Sequence, residues 1–245
     1  MNYGPRAMRY AIISDIHSNL EALTTVLVEI GKQNVDEIIC LGDVVGYGAN
    51  PDEVAELVRS EAKYTVRGNH DDALFSDTTF SSINSFAKLA ITYNSGLLSD
   101  QNKEWLRDLP MSHKLDKILL VHACPSEPKS WKYIFTKAEA EVELSSFEEK
   151  ICLIGHTHMP VVFSLKDTGG ISSSSEGMGH VKELINVGSV GQPRDGDNRA
   201  SFGIVDTGNF TYSNFRVEYD YRTAADKIIA AQLPGFLAER LHKGR

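Results

Sequence analysis

Short apolar runs alternate with amphipathic stretches through the first two thirds of the chain. Residues 10–14, 37–41 and 64–67 are runs of strand length. Between them, residues 19–33 carry Leu20, Leu23, Leu27 and Ile30 at helical spacing behind the capping residue Asn19, and residues 51–62 start on Pro51 with Val54, Leu57 and Val58 on one face. The same spacing predicts a long helix over 80–98 and a second over 100–109. Two more apolar runs, 117–121 and 150–154, flank a helical stretch at 137–148. Beyond Pro160 the pattern changes to strands at 161–165, 181–187, 202–206 and 210–217, joined by glycine-containing turns. A last amphipathic helix over 223–240 is interrupted at Pro234-Gly235. The Ser/Gly-rich stretch 167–179 reads as a flexible hairpin loop.

Strand–helix alternation followed by hairpins predicts one mixed α/β sandwich domain over residues 8–245. Residues 1–7 precede the pattern and read as a frayed start or an expression remnant, with Met8 as the natural initiator. The chain has 245 residues, 42% apolar and 24% charged, which excludes wholesale disorder. No apolar run approaches the ~18 residues of a membrane span, and the first one is too short for a secretory leader. Cys40, Cys124 and Cys152 lie far apart without metal-finger spacing, so reduced thiols and a cytoplasmic setting are expected. A formal charge of −8 disfavours nucleic acid as a partner; the sole basic cluster, 240–245, reads as a solvated end. An anionic substrate would therefore have to be held by local cations.

Metal-competent residues recur where each apolar run stops. Asp15 and His17 follow the first, Gly42-Asp43 the second, and Gly68-Asn69-His70-Asp71 the third. His122 follows ILLV, and Gly155-His156-Thr157-His158 follows ICLI. Open α/β sheets bind ligands beyond the carboxyl ends of their strands. Carboxylate, imidazole and amide oxygen without thiolate suit Mn, Fe, Zn or Co. Asp15, His17, Asp43, Asn69, His122, His156 and His158 exceed the needs of one ion. Two divalent ions ~3.5–4 Å apart, sharing a carboxylate, would use them all and would acidify a bridging water for attack at phosphorus. Glycines before Asp43, Asn69 and His156 permit tight turns. In extended chain, residues i and i+2 point the same way, so Asp15/His17 and His156/His158 are each expected to aim at one site.

These ordered strings resemble the calcineurin-like metallophosphoesterase superfamily over roughly residues 8–215. The start Asp15-Ile16-His17-Ser18-Asn19 and the segment Gly188-Ser189-Val190-Gly191-Gln192-Pro193-Arg194 look most like its small bacterial and archaeal phosphodiesterase-like branch. The resemblance implies a four-layer α/β/β/α sandwich with a dinuclear site at the strand ends. It implies Asp15, His17 and His158 on one ion, Asn69, His122 and His156 on the other, and Asp43 between them. Mn2+ is the first choice of metal, with Fe, Zn, Co or Ni as alternatives. His70 would face the leaving group as a general acid or charge-stabilising donor. A small phosphoester, nucleotide-like molecules included, is the expected partner, with no membrane and with homo-oligomerisation left open. The rival reading is a non-catalytic metal-binding scaffold of the retromer-subunit type, against which the retained His70 argues.

The chain departs from the protein-phosphatase branch, whose GDxxDRG string becomes Gly42-Asp43-Val44-Val45-Gly46-Tyr47-Gly48. His70 then needs another orienting carboxylate, with Asp71 and Asp72 nearby, although Asp71 could equally cap a helix. Candidate phosphate grips are Arg67 and Arg194, with Asn19 and Tyr47 lining the mouth; a strand-end ion pair for Arg67 and a salt bridge from Arg194 to Asp195 or Asp197 are the alternatives. Substrate choice is expected to lie in loops 47–50, 76–84 and 127–135. Cys124 lacks the phosphate-cradling Arg of a cysteine phosphatase six residues on, where Ser130 stands, and reads as a small buried thiol.

Overall fold

The computed structural model describes residues 7–165 and 182–245, together with the backbone of 171–174. Expectations for residues 1–6 and for most of the 167–179 loop lie outside the described residues. In chain order the first half comprises β1 (Arg9–Ile13), α1 (Leu20–Ile30), β2 (Glu37–Cys40), α2 (Pro51–Glu61), β3 (Ala62–Thr65), α3 (Asn69–Asp72), α4 (Asp77–Ser82), α5 (Ser85–Leu97) and α6 (Asp100–Asp108). There follow β4 (Ser112–Leu115), β5 (Ile118–Val121), α7 (Lys137–Leu144), β6 (Ile151–Ile154), β7 (Val161–Leu165), β8 (Ile171–Ser174) and β9 (Lys182–Asn186). The chain closes with β10 (Ala200–Asp206), β11 (Thr211–Val217), α8 (Tyr221–Ala230) and α9 (Gly235–Lys243).

Strand alternation builds the layers. In β1, Ala11 and Ile13 pack against α1, α2, α5, α8 and α9, whereas Ile12 faces the other way. In β5, Ile118 and Leu120 meet Ile12, Ile39, Val205 and Tyr212, whereas Leu119 and Val121 pack with Leu144 and Phe147 beneath α7. Among the described residues three separate apolar cores therefore lie between four layers, the α/β/β/α sandwich that the family resemblance implies. One sheet runs β11-β10-β1-β2-β3 and the other β4-β5-β6-β9-β7-β8. Parallel pairing of β1 with β2, β2 with β3, and β5 with β6 brings their carboxyl ends to one edge. The last helices share the core of α1, where Leu237 and Leu241 join Ala22 and Leu23.

Several boundaries differ from the expectation. The long helix predicted over 80–98 is two, because Ile83 is extended and the Asn84 carboxamide accepts the Ala87 N–H at 3.0 Å, restarting the helix. Polar β4 was missed since it is an edge strand that pairs with β5 alone. Strand β8, paired antiparallel with β7, lies inside the stretch read as loop.

Candidate metal centre

The chain turns sharply beyond β1, β2 and β6 as it delivers its side chains. Asp15, His17, Asp43, His156 and His158 all have positive φ, between 50° and 68°. Such conformations cost non-glycine residues energy and gather at functional sites. Close approach of the turns demands glycine: a Cβ on Gly155 would lie 2.4 Å from Asp15 Oδ2, and one on Gly68 2.1 Å from Asp43 Oδ1. The extended-chain argument fails here. Asp15 and His17 do converge, but the left-handed turns send His158 to their cluster and His156 to another.

Asp15, His17 and His158 bring ligand atoms within 4.8 Å of one another, as do Asp43, His122 and His156, and also His17, Asp43 and His70. Asp43 joins the groups: its Oδ2 stands 3.5 Å from both His17 Nε2 and His122 Nε2. Its Oδ1 accepts the His70 backbone N–H at 2.8 Å. Asp15 is held by the His156 backbone N–H at 3.0 Å and the Ser14 hydroxyl at 2.7 Å. Asn69 opens α3, and its buried Oδ1 has no hydrogen-bond partner.

Backbone carbonyls fix the imidazole tautomers. Nδ1–H of His17 donates to Val45 O (3.0 Å), that of His122 to Leu41 O (2.8 Å) and that of His158 to Gln192 O (2.6 Å). His156 instead donates Nε2–H to Trp131 O at 2.9 Å, which leaves Nδ1 as the nitrogen that could face a metal ion. A carbonyl can only accept, so the neutral rings of His17, His156 and His158 each turn a lone pair inward, as His122 does once its second proton is lost. The consequence is sharpest at His17 and His158, whose proton-free Nε2 atoms face each other at 3.2 Å. Two lone pairs at that distance repel unless a cation lies between them.

The charges agree. Burial and, after it, neighbouring positive groups drive His17 and His158 well below the ordinary imidazole range; burial, then His122, takes His156 to about 3. All three rings are neutral at neutral pH. Burial works against a proton on His122, but Asp43 and Asp15 hold one there and raise its pKa to about 9. Buried carboxylates thus demand positive charge at this spot. The donor set, its inward lone pairs and the unpartnered Asn69 oxygen fit divalent ions.

The substrate-side expectations divide. Tyr47 is buried in the site, its ring 4.6 Å from that of His17 and 4.5 Å from that of His70. Arg194 forms no salt bridge with Asp195 or Asp197, which pair with Arg216 and Arg199; its guanidinium sits 5.6 Å from the Tyr47 ring. Arg67 is committed elsewhere, to Asp72 at 3.0 Å and to Arg107 O. Asn19 caps α1 through Ala22 N–H and donates to Gly191 O and Tyr219 Oη, so it is a structural residue. Asp71 does not orient His70, whose Nδ1 has no hydrogen-bond partner. Its two oxygens accept backbone N–H groups of Val45 (3.2 Å) and Gly68 (3.0 Å), which makes it a loop and helix cap. Burial, then Asp43, lifts the Asp71 pKa to about 7. Burial, above all, lowers His70 to about 4, so this ring is neutral at physiological pH.

A cleft of about 290 Å3 opens beside Asn69, His70 and His156, walled by Tyr47, Ile83, Trp131 and Tyr133. Its walls come from the loops expected to govern substrate choice. Tyr133 stacks on His156 at 4.0 Å, and Asn94 of α5 grips the Gly46–Gly48 turn through Gly46 N–H and Gly48 O. Asn94 and the Trp131 carbonyl were missed, since nothing marks a mid-helix Asn or one carbonyl among many. Cys124 is buried and its thiol donates to Glu127 O, away from any nucleophilic geometry. Among the described residues, no helix is long and apolar enough to cross a membrane.

A sandwich of this topology, with histidines and aspartates gathered at its strand ends, defines a metallophosphoesterase-type hydrolase scaffold. Residues 8–209 match the calcineurin-like phosphoesterase superfamily domain, and the chain belongs to that superfamily. It is 40% identical to an uncharacterised protein of Methanocaldococcus jannaschii over 96% of this chain and 98% of that one. A metallophosphoesterase from Sphaerobacter thermophilus is 35% identical, superposes with a TM-score of 0.87, and is matched over 98% of this chain and 100% of its own. A hypothetical protein from Pyrococcus horikoshii, at 23% identity, shares the fold with a TM-score of 0.81 over 97% of this chain and 98% of its own.

Proposed function

We propose that the chain is a metal-dependent phosphoesterase that hydrolyses small phosphodiesters or phosphomonoesters, nucleotide-like molecules among them. The observation that carries this reading is the face-to-face approach of His17 and His158 Nε2 at 3.2 Å, with each ring's Nδ1 committed to a backbone carbonyl, an arrangement that a shared divalent ion would satisfy. Asp15, His17 and His158 would hold one divalent ion, Asn69, His122 and His156 a second, and Asp43 would reach both. Such ions, preferably Mn2+, supply Lewis acidity to phosphoryl oxygens and lower the pKa of water.

The protein's own residues do the rest. Val45, Leu41, Trp131 and Gln192 carbonyls hold the four imidazoles in register. Gly68 and His70 lie at the start of α3, so His70 enters the cleft next to Asn69 from a fixed turn. Neutral His70 can donate a ring N–H to the oxygen that gains charge as the ester bond breaks. Tyr47 and Tyr133 wall the cleft beside His70 and His156.

The test is turnover of bis(p-nitrophenyl) phosphate and p-nitrophenyl phosphate by protein that has been chelated and reloaded with Mn2+, with His70→Ala in parallel. Metal-restored turnover that falls about a hundredfold in His70→Ala, with metal content unchanged, is the expected result. Bound metal with no turnover on either ester or on nucleotides would sink the hydrolase reading.

A further inference from the structure

Two arginines from distant parts of the chain meet on one amide oxygen. Gln192 Oε1 accepts Arg194 Nη2 at 2.8 Å, Arg194 Nε at 3.3 Å and Arg240 Nη1 at 3.2 Å. Gln192 is 1% exposed, and its main-chain carbonyl is the one that holds His158. One residue therefore fixes a metal-side histidine with its backbone and an arginine pair with its side chain.

A neutral amide does not neutralise two guanidiniums. Carboxylates close in sequence are already committed: Asp195 to Arg216, Asp197 to Arg199 and Glu239 to Lys243. Neither Arg194 nor Arg240 has a carboxylate partner among the described ion pairs. Burial and the Arg194 charge both press Arg240 below its ordinary range, a sign of like charges forced together. Cation–π contacts hold them in place, with Arg194 over Tyr47 and Arg240 over Phe236 at 5.0 Å. Tyr47 also touches His17 and His70, so Arg194 lies one aromatic ring from the candidate metal centre, and Arg240 is joined to it through Gln192. Residue 240 belongs to the basic cluster that reads in the sequence as a solvated end; α9 instead folds it back onto the site.

We infer that Arg194 and Arg240 form a second anion subsite, which takes a phosphate or carboxylate group borne by the substrate in addition to the phosphoester being cleaved. This deepens the phosphoesterase reading and rests on it. Planar guanidiniums grip such oxyanions in bidentate fashion, and two of them lacking counter-charge gain most from an incoming anion. The substrate class is thus a phosphoester with a further anionic group, set one tyrosine away from the scissile phosphorus.

The test is isothermal titration of the Mn2+-reloaded protein with ethane-, propane- and butane-bisphosphonate and with the matching alkylphosphonates. Wild type, Arg240→Ala, Arg240→Gln and Arg240→Lys are compared, with metal content measured before and after. At least one bisphosphonate is expected to bind about tenfold tighter than its monophosphonate. Arg240→Ala and Arg240→Gln should erase that preference while monophosphonate affinity stays within about twofold, and Arg240→Lys should keep part of it. Equal affinity for both ligand types in the wild type would overturn the subsite, as would an Arg240→Gln variant with unchanged preference. Preference without turnover on aryl phosphates would sink the hydrolase reading alone; turnover without preference would sink the subsite alone.

Discussion

Gly46 and His70 are so close that a Cβ on the glycine would lie 2.2 Å from His70 Nδ1. Gly46 also has φ +104°, which strains any other residue. The carboxylate that the protein-phosphatase branch carries at this place is therefore not merely absent. His70 fills the room a side chain at residue 46 would need, and among the described residues its Nδ1 faces no acceptor. Gly46→Ala should push the imidazole out of register. The expected outcome is a fall in kcat of about a hundredfold with metal stoichiometry retained. Normal kcat in a variant of normal thermal stability would show that the His70 position is irrelevant to turnover.

His122 sets the pH dependence of metal uptake. Its pKa of about 9, held up by Asp43 and Asp15 against burial, means that the metal-free site carries a proton there at neutral pH. A ligand must give up its proton to bind, so uptake between pH 7 and 9 should release about one proton per chain. Apparent affinity should rise about tenfold per pH unit in that window and level off above it. Below about 6, protonation of Asp15 should steepen the dependence. Titrations of Mn2+ in buffers of different ionisation enthalpy read the proton count directly. Wild type releasing none near pH 8, or His122→Asn releasing as many as wild type, would contradict the assignment.

Asp43 is the group shared by the clusters, with one oxygen 3.5 Å from a histidine of each. Burial opposes its ionised form, but His122 and His70 outweigh that and keep it well below the carboxylate range. Asp43→Asn preserves shape and removes the charge. Both ions should then be lost together, from about two per chain to less than one at equal free metal. Elemental analysis showing two ions still bound would disprove the shared-ligand role.

The layers and the strand ends were legible in the sequence because two rules act locally there. Alternation in β1 and β5 assigns each side chain to a layer, and parallel strands present their carboxyl ends together. Hence Asp15, Asp43, Asn69, His122 and His156 could be gathered from spacing alone. Illegible features depend on pairing across the chain. Every residue has a carbonyl, so nothing marks those of Leu41, Val45, Trp131 and Gln192 as tautomer locks. The i, i+2 argument assumes extended chain, which positive φ replaces at Asp15 and His17 as well as at His156 and His158; the first pair still shares a cluster and the second does not. Arg240 was misjudged for a related reason: composition shows a basic tail, while the packing of Leu237 and Leu241 decides which way it points.

Asp71 separates a structural role from a chemical one. Its oxygens receive the N–H groups of Val45 and Gly68, which flank Asp43 on one side and precede Asn69 on the other. The carboxylate is fully buried, so its removal leaves both donors without a partner. Asp71→Ala should cost roughly 2–3 kcal/mol of stability, visible as a lower denaturant midpoint. Asp71→Asn can still accept one N–H and should cost less. At a temperature where both variants are folded, and at about pH 8.5 where wild-type Asp71 is ionised, kcat should stay within about threefold of wild type, because Asp71 makes no hydrogen bond to His70. A fall of kcat by about a hundredfold in Asp71→Asn, with stability unchanged, would restore Asp71 as the partner of His70 and overturn the cap assignment.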